Sequence, residues 1–236
     1  MLKDGVTLAE FRKMESTVAH LHRNFGHCSM HTVVEALRRR KANAHLLEVA
    51  KSYRCAACEE AQRFKLRPIA SPETSIPEPG RHLGVDNFYW EHPRGVYKLR
   101  ATLCVDIGSR AAKVKVPTVK RDGHHTGNTT GKAMLGVISD WVESYGRPDV
   151  LRTDPEGCFK DSQNRQWLSG KGIEWMPEPG EAHWRMGIVE RMIDTIKSIA
   201  VRSSLESSDD TDPIELFQWA CAAHNDLARH DGFSPF

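Results

Sequence analysis

The sequence predicts an α/β protein: a mixed sheet with helices on its faces, preceded by a small helical module. Three observations predict it. Residues 7–67 carry apolar side chains at helical spacing, and nothing there alternates like a strand. Pro68, Pro72, Pro77, Pro79 and Gly80 then break the chain. Beyond them, strand-like runs first follow one another and later alternate with helices, a pattern that packs as a mixed sheet covered on its faces.

The N-terminal helices come first. TLAEFRKMESTVAHL places Leu8, Phe11, Met14, Val18 and Leu21 three to four residues apart. HTVVEALRRRK repeats the pattern and ends in four bases, and AHLLEVAKSY follows. The proline segment reads as an extended, semi-rigid linker over 68–81, dividing a domain at 1–67 from one at 82–236. After it, HLGVDNFYW, VYKLRATLCVDIG and AAKVKVPTV are rich in Val, Leu, Tyr and Thr, and their short connections suggest an antiparallel meander. RDGHHTGNTTG reads as a polar loop and KAMLGVISDWVESYG as a helix stopped by Gly146. PDVLRTD is a short strand, QNRQWLSGKG a short helix and IEWMP another strand. A loop with Pro177, Pro179 and Gly180 leads to a long helix over about 188–203, and a last helix runs from about Pro213 to His230.

Composition limits the class. The 236 residues suffice for one full core plus a smaller module. Hydrophobic content of 39% and charged content of 27% are those of an ordinary globular chain. No apolar run approaches a membrane span of about 18 residues. The start, MLKDGVTLAEFRKM, is too polar for a secretory signal, so the expected location is cytoplasm or nucleus. The formal charge is +2, unevenly placed: residues 1–85 hold 14 Lys and Arg against 9 Asp and Glu, whereas residues 86–236 hold 19 against 22. A basic leading part ahead of an acidic body suits a nucleic-acid grip joined to a metal-binding core. Without a secretory signal, the six cysteines are expected as thiols, with Cys104 and Cys221 as buried small hydrophobes.

Two pairs of metal-ligating residues fall in the helical module. His22 and His27 lie in LHRNFGH, and Cys55 and Cys58 form Cys-x-x-Cys. Two imidazoles and two thiolates suit one tetrahedral structural zinc ion. A module this small has little core, and a metal staple supplies folding energy. Cys28 and His20 are alternative ligands; Gly26, permitting a tight turn, favours His22 and His27.

Three acids stand out in the second domain. Asp86 lies in a strand-like run, Asp154 comes just after the DVLRT stretch, and Glu190 lies early on the long helix, with thirty-five residues between it and Asp154. Two divalent ions that activate a nucleophile and stabilise a leaving oxygen need such carboxylates converging from separate elements. On the long helix, Val189, Met192, Ile193, Ile196, Ile199 and Ala200 define one face, and Glu190, Asp194 and Lys197 run beside it. Lys197 and the cluster Arg38, Arg39, Arg40 and Lys41 are the nucleic-acid contact candidates, with Lys51, Arg54, Arg63, Lys65 and Arg67 extending the basic field.

At these residues the chain resembles the integrases of retroviruses and long-terminal-repeat retrotransposons. LHRNFGH…CAAC is similar to that family's His-His-Cys-Cys module, HLGVDNFYW to its first catalytic strand and RTDPEGCF to the segment around its second acid. GIVERMIDTIK is similar to the helix bearing its third acid, and HDGFSPF to the recurrent end of its core. The resemblance covers roughly residues 15–236. It implies a ribonuclease-H-like core, a five-stranded mixed sheet flanked by helices. It also implies polynucleotidyl transfer: 3′-end processing of a linear DNA copy, then strand transfer into host DNA. Asp86, Asp154 and Glu190 are the implied ligands of two Mg²⁺ or Mn²⁺ ions, DNA the implied partner and a homo-oligomer the implied state. Asp106, a rival first acid, matches a non-catalytic acid that family members often carry near the end of the second strand.

The chain departs from the family in three places. His183, Trp184, Arg185 and Met186 stand where a Gln or an Asn-Gly pair is common. Asp194 stands where many members carry a base. The sequence stops after Ser234-Pro235-Phe236, where the resemblance leads one to expect a C-terminal DNA-binding domain; its absence suggests a piece of a polyprotein or a decayed copy. The alternative function is a catalytically silent zinc-bearing module that binds nucleic acid or its own oligomer. A transposase or ribonuclease with a similar acid cluster fits less well, because its histidines would not come first.

Overall fold

The computed structural model describes residues 6–61, 76–120, 131–154, 162–177, 186–208, 211–227 and 235. Four helices open the chain: α1 (Leu8–Asn24), α2 (Met30–Arg39), α3 (Ala44–Ser52) and the short α4 (Ala56–Glu60). Local chemistry sets their starts. Thr7 and Glu10 form a reciprocal capping box on α1, Ser29 caps α2, and Asn43 Oδ1 accepts the Leu46 amide 2.7 Å away at the head of α3. Val18, Val33, Val34, Leu37, Val49 and Ala50 meet in the middle of the module. That is a small core, as the sequence suggested.

The sheet contains β1 (His82–Glu91), β2 (Lys98–Asp106), β3 (Ala112–Lys120), β4 (Val150–Thr153) and β5 (Glu174–Pro177), in the order β3-β2-β1-β4-β5. The β1–β2 and β2–β3 pairs are antiparallel, and β1–β4 and β4–β5 are parallel. The expected meander is therefore present, and β1 is the central strand. Helices α5 (Gly131–Tyr145), α6 (Ser162–Gly170), α7 (Gly187–Glu206) and α8 (Pro213–Leu227) complete the fold. Among the described residues, no helix is long and apolar enough to cross a membrane.

Strand alternation divides the core between the two faces. Leu83, Val85, Cys104 and Leu151 pack with Met134, Ile138 and Trp141 of α5 and Leu168 of α6. Phe88, Trp90, Leu103 and Val105 pack with Val189, Ile193 and Ile196 of α7 and Phe217 of α8. Even-numbered residues of β1 therefore look towards α7. Cys104 and Cys221 are buried, as expected of small hydrophobes.

Helix α7 runs further at both ends than the expected 188–203. Its extra C-terminal turn holds because Ser203 and Ser204 are buried and the Ser207 amide closes on the Ser203 carbonyl at 2.9 Å. Helix α8 is described to Leu227, and the expected continuation to His230 lies outside the described residues. The same holds for residues 68–75 of the linker, the polar loop at 121–130, the loop at 178–185, and Arg63, Lys65, Arg67 and Cys158.

Candidate metal centres and nucleic-acid interface

The four residues predicted as zinc ligands come together. The ligand atoms of His22, His27, Cys55 and Cys58 all lie within 4.8 Å of one another. His22 sits on the last turn of α1. Gly26 and His27 then adopt φ of +62° and +55°, which turns the chain back so that the second imidazole faces the first. Their ring centroids are 4.9 Å apart, edge to face. Cys55 occupies the N-cap position of α4 and Cys58 its first turn, where helix amides favour thiolates.

The distances suit a tetrahedral cation. Bonds of about 2.0–2.3 Å put ligand atoms roughly 3.3–3.8 Å apart. His22 Nε2 lies 3.2 Å from Cys58 Sγ, and His27 Nδ1 lies 3.5 and 3.6 Å from the sulfurs of Cys55 and Cys58. Burial pushes the His27 imidazole down to about 3, helped by positive charge on His22, Arg202 and Arg23; burial also lowers His22. Both rings are thus held in the neutral form that ligates. Burial and a hydrogen bond to Glu206 push the Cys55 thiol up to about 12, and burial raises Cys58. Thiolates here need a cation beside them, so binding one releases protons. Cys28 and His20, the alternative ligands, are not members of the cluster.

Sequence reading missed Glu206. It ends α7, yet its Oε1 accepts from Cys55 Sγ at 3.1 Å. No local pattern signals a partner 151 residues away.

The acids are placed by the sheet. Asp86 lies inside β1, opposite Leu103 of β2. Gly84, two residues earlier on the same face, packs so closely that an added Cβ would lie 2.4 Å from Val189 Cγ2. Val189 precedes Glu190, an exposed residue in the first turn of α7. Further along, Lys197 Nζ stands 5.3 Å from the centre of the Phe88 ring. Residues 189 to 197 advance about 12 Å along a helix, and residues 84 to 88 advance about 13 Å along a strand. Helix α7 and strand β1 therefore run alongside each other in the same direction across Asp86.

Asp154 follows from the β1–β4 register. Val85 pairs with Thr153, the last residue of β4, and Leu83 pairs with Leu151 on the α5 side. Strand β4 ends at Thr153, and the chain continues into Asp154 just beyond the Val85–Thr153 pair; among the described residues, Asp86, Asp154 and Glu190 do not form a metal-ligating group as the zinc candidates do. Trp175 Nε1 donates to Thr153 Oγ1 at 3.1 Å, and Thr153 Oγ1 donates to the Asp154 carbonyl at 2.9 Å, fixing the end of β4.

Asp106 has a different setting. It pairs with Leu83 and so faces away from Asp86. It is buried, and its Oδ2 accepts from the Gly80 amide at 3.1 Å and from the Ser109 amide and hydroxyl at 2.9 and 2.6 Å. These bonds tie the entering segment to the β2–β3 turn. Arg38, Arg39, Arg40 and Lys41 are exposed at the end of α2, which packs on α1 and α3.

Comparison with known proteins agrees with this architecture. No family model matches the chain. The Gag-Pol polyprotein of feline leukemia virus is 25% identical over 210 residues, 86% of this chain and 12% of the polyprotein. The chain thus spans about an eighth of that curated relative. The HTLV-2 integrase catalytic core domain, solved in complex with magnesium in a dimeric form, aligns with a TM-score of 0.55 at 17% identity, covering 68% of this chain and 97% of that one. A chain of the simian T-cell lymphotropic virus intasome, in complex with PP2A regulatory subunit B56 gamma, aligns with a TM-score of 0.59 at 17% identity, covering 92% of this chain and 72% of that one. The catalytic core of BIV integrase gives 0.51 at 16% identity, covering 66% and 91%. The five-stranded mixed sheet flanked by helices is that of the ribonuclease-H-like integrase cores. In fold, in its His-His-Cys-Cys group and in its polyprotein relative, the chain resembles the integrases of retroviruses and long-terminal-repeat retrotransposons.

Proposed function

We propose that this chain is an integrase-type polynucleotidyl transferase acting on DNA, with residues 1–67 as the zinc-binding module, 68–81 as linker and 82–236 as the catalytic core. What supports the reading is the parallel β1–β4 register, which runs β4 beside the strand of Asp86 and leads into Asp154, together with the Gly84–Val189 contact that brings the first turn of α7, bearing Glu190, to the same strand.

The residues present suit two divalent cations. Carboxylates are the ligands that Mg²⁺ and Mn²⁺ prefer, and these three come from a strand, the residue that follows another strand and a helix. When bound, a pair of such ions lowers the pKa of the attacking hydroxyl and stabilises the leaving oxygen. Asp86 and Asp154 hold the sheet side of this site, and Glu190 closes it from α7. Lys197, about two turns beyond Glu190, offers a positive charge to the DNA backbone, and the bases at 38–41 extend the grip. One zinc ion held by His22, His27, Cys55 and Cys58 has a structural part, because all four ligand positions are filled by protein. The related structures are described as dimeric and trimeric catalytic cores with magnesium and as an intasome, which supports magnesium, DNA and a homo-oligomer as partners here. Nucleus or cytoplasm remains the proposed location.

The test is 3′-end processing and strand transfer on labelled oligonucleotide duplexes with Mg²⁺ or Mn²⁺, comparing the chain with Asp154→Asn. The expected outcome is metal-dependent product from the parent and a loss of at least about 10²-fold in the variant, the scale of losing one preorganised electrostatic element. Equal product from both proteins would overturn the assignment. No product from either, with intact DNA binding, would point to the silent module.

A further inference from the structure

Glu206 reaches the four-residue cluster from the other half of the molecule. Its Oε1 lies 3.1 Å from Cys55 Sγ, its Oε2 lies 3.4 Å from His27 Nε2, and Arg23 Nε stands 3.9 Å from the same oxygen. His27 thus uses its two nitrogens differently: Nδ1 faces both sulfurs, and Nε2 faces the carboxylate. We propose that Glu206 is the positioning residue of the zinc cluster, fixing the His27 tautomer through its Nε2–H and coupling cation binding to docking of the helical module on the end of α7. This rests on the zinc reading given above.

The chemistry is specific. A neutral imidazole carries one N–H, and a carboxylate beside Nε2 selects the tautomer that leaves the Nδ1 lone pair for a cation. Cys55 donates to Glu206 only as a thiol. With a cation on its sulfur, the cysteine is a thiolate, and the donor left to Glu206 is His27. A carboxylate in the last turn of a helix is disfavoured by the helix dipole, so Glu206 stands where local helix electrostatics oppose it. The His27 N–H and Arg23 offset that cost.

The docking is close. An added Cβ on Gly26 would lie 2.9 Å from Ala223 Cβ and 3.1 Å from Ile199 Cγ2, so the turn that carries His27 is seated directly on α7 and α8. Glu190 and Glu206 stand at opposite ends of α7, about 24 Å apart at 1.5 Å per residue. One helix thus joins the acid-bearing end of the core to the cation cluster.

The test compares the parent chain with Glu206→Ala and Glu206→Gln. Zinc affinity is measured by competition with a chromophoric chelator, and hydrogen–deuterium exchange is followed over residues 199–206 with and without zinc. The parent is expected to bind one zinc and to slow exchange in the last turns of α7. Glu206→Ala is expected to bind about 10- to 100-fold more weakly and to lose the zinc-dependent protection, with Glu206→Gln, which keeps an acceptor oxygen, in between. Parent-like affinity or parent-like protection in Glu206→Ala would overturn the proposal. If that variant misfolds by circular dichroism, Glu206→Gln decides by the same two readouts. A parent chain that binds no zinc would instead overturn the zinc reading itself.

Discussion

Val189 occupies the space that a side chain on Gly84 would need: a Cβ built there lies 2.4 Å from Val189 Cγ2. Gly84 is two residues from Asp86 and Val189 is next to Glu190, so this single contact sets the helix that carries one acid against the strand that carries another. Replacing Gly84 by Ala is expected to push α7 away from β1 and cost about 1–3 kcal/mol, the usual range for overpacking a core. Urea unfolding measures it. Val189→Ala in the same chain should return part of that loss, and strictly additive effects of the two substitutions would show that the contact is not what Gly84 relieves.

Chelation offers a second measurement, made easy by where the tryptophans fall. All six lie at position 90 or beyond, none in the helical module. Removing zinc is expected to lower helical circular dichroism, because the small core of α1, α2 and α3 loses its staple, while tryptophan fluorescence stays that of a folded sheet. Unchanged circular dichroism after chelation would count against a structural cation.

Acid should loosen the same module. His27 is pushed down to about 3 and His22 is also lowered, chiefly by burial. Each folded value is below the unfolded value of 6.5, so the unfolded state binds more protons in that interval. The resulting stability is fully present above pH 6.5 and is lost progressively as pH falls from there towards about 3. Cation ligation acts in the same direction, because it also requires neutral imidazoles. Thermal melts of the helical signal from pH 7.5 to 4.5 measure this; a midpoint that does not fall would contradict it.

Lys197 provides a test of the DNA interface. Its ammonium sits 5.3 Å from the Phe88 ring centre, on the acid-bearing side of α7. If it meets a phosphate, Lys197→Ala should weaken binding across DNA sequences alike and reduce the slope of log affinity against log salt by about 1. Titrations over a range of salt concentrations decide this, and an unaltered slope would remove Lys197 from the interface.

The order of elements was legible along the chain because the strand runs of 82–120 are rich in Val, Leu, Tyr and Thr with short connections between them, and the helical runs repeat every three to four residues. The zinc ligands were legible for a similar reason: each pair is local, and Gly26 between the histidines announces the turn that joins them. The bounds of α7 were not, since its last turn depends on burial of Ser203 and Ser204 rather than on apolar periodicity. Asp106 shows the same limit. Its acid character was visible, but its bonds to Gly80 and Ser109, and its direction away from Asp86, are properties of the folded sheet.

By itself, then, the sequence determined which side chains are candidates for chemistry and what local structure most of them occupy, because periodicity, capping and ligand spacing act over a few residues. Only the tertiary structure decided who meets whom. The parallel register of β1 and β4 sets Thr153, the residue before Asp154, beside Val85, the missing side chain of Gly84 lets α7 approach, and Glu206 crosses 151 residues of sequence to reach Cys55. Those relationships come from packing across distant elements, where no short-range pattern in the chain records the partner.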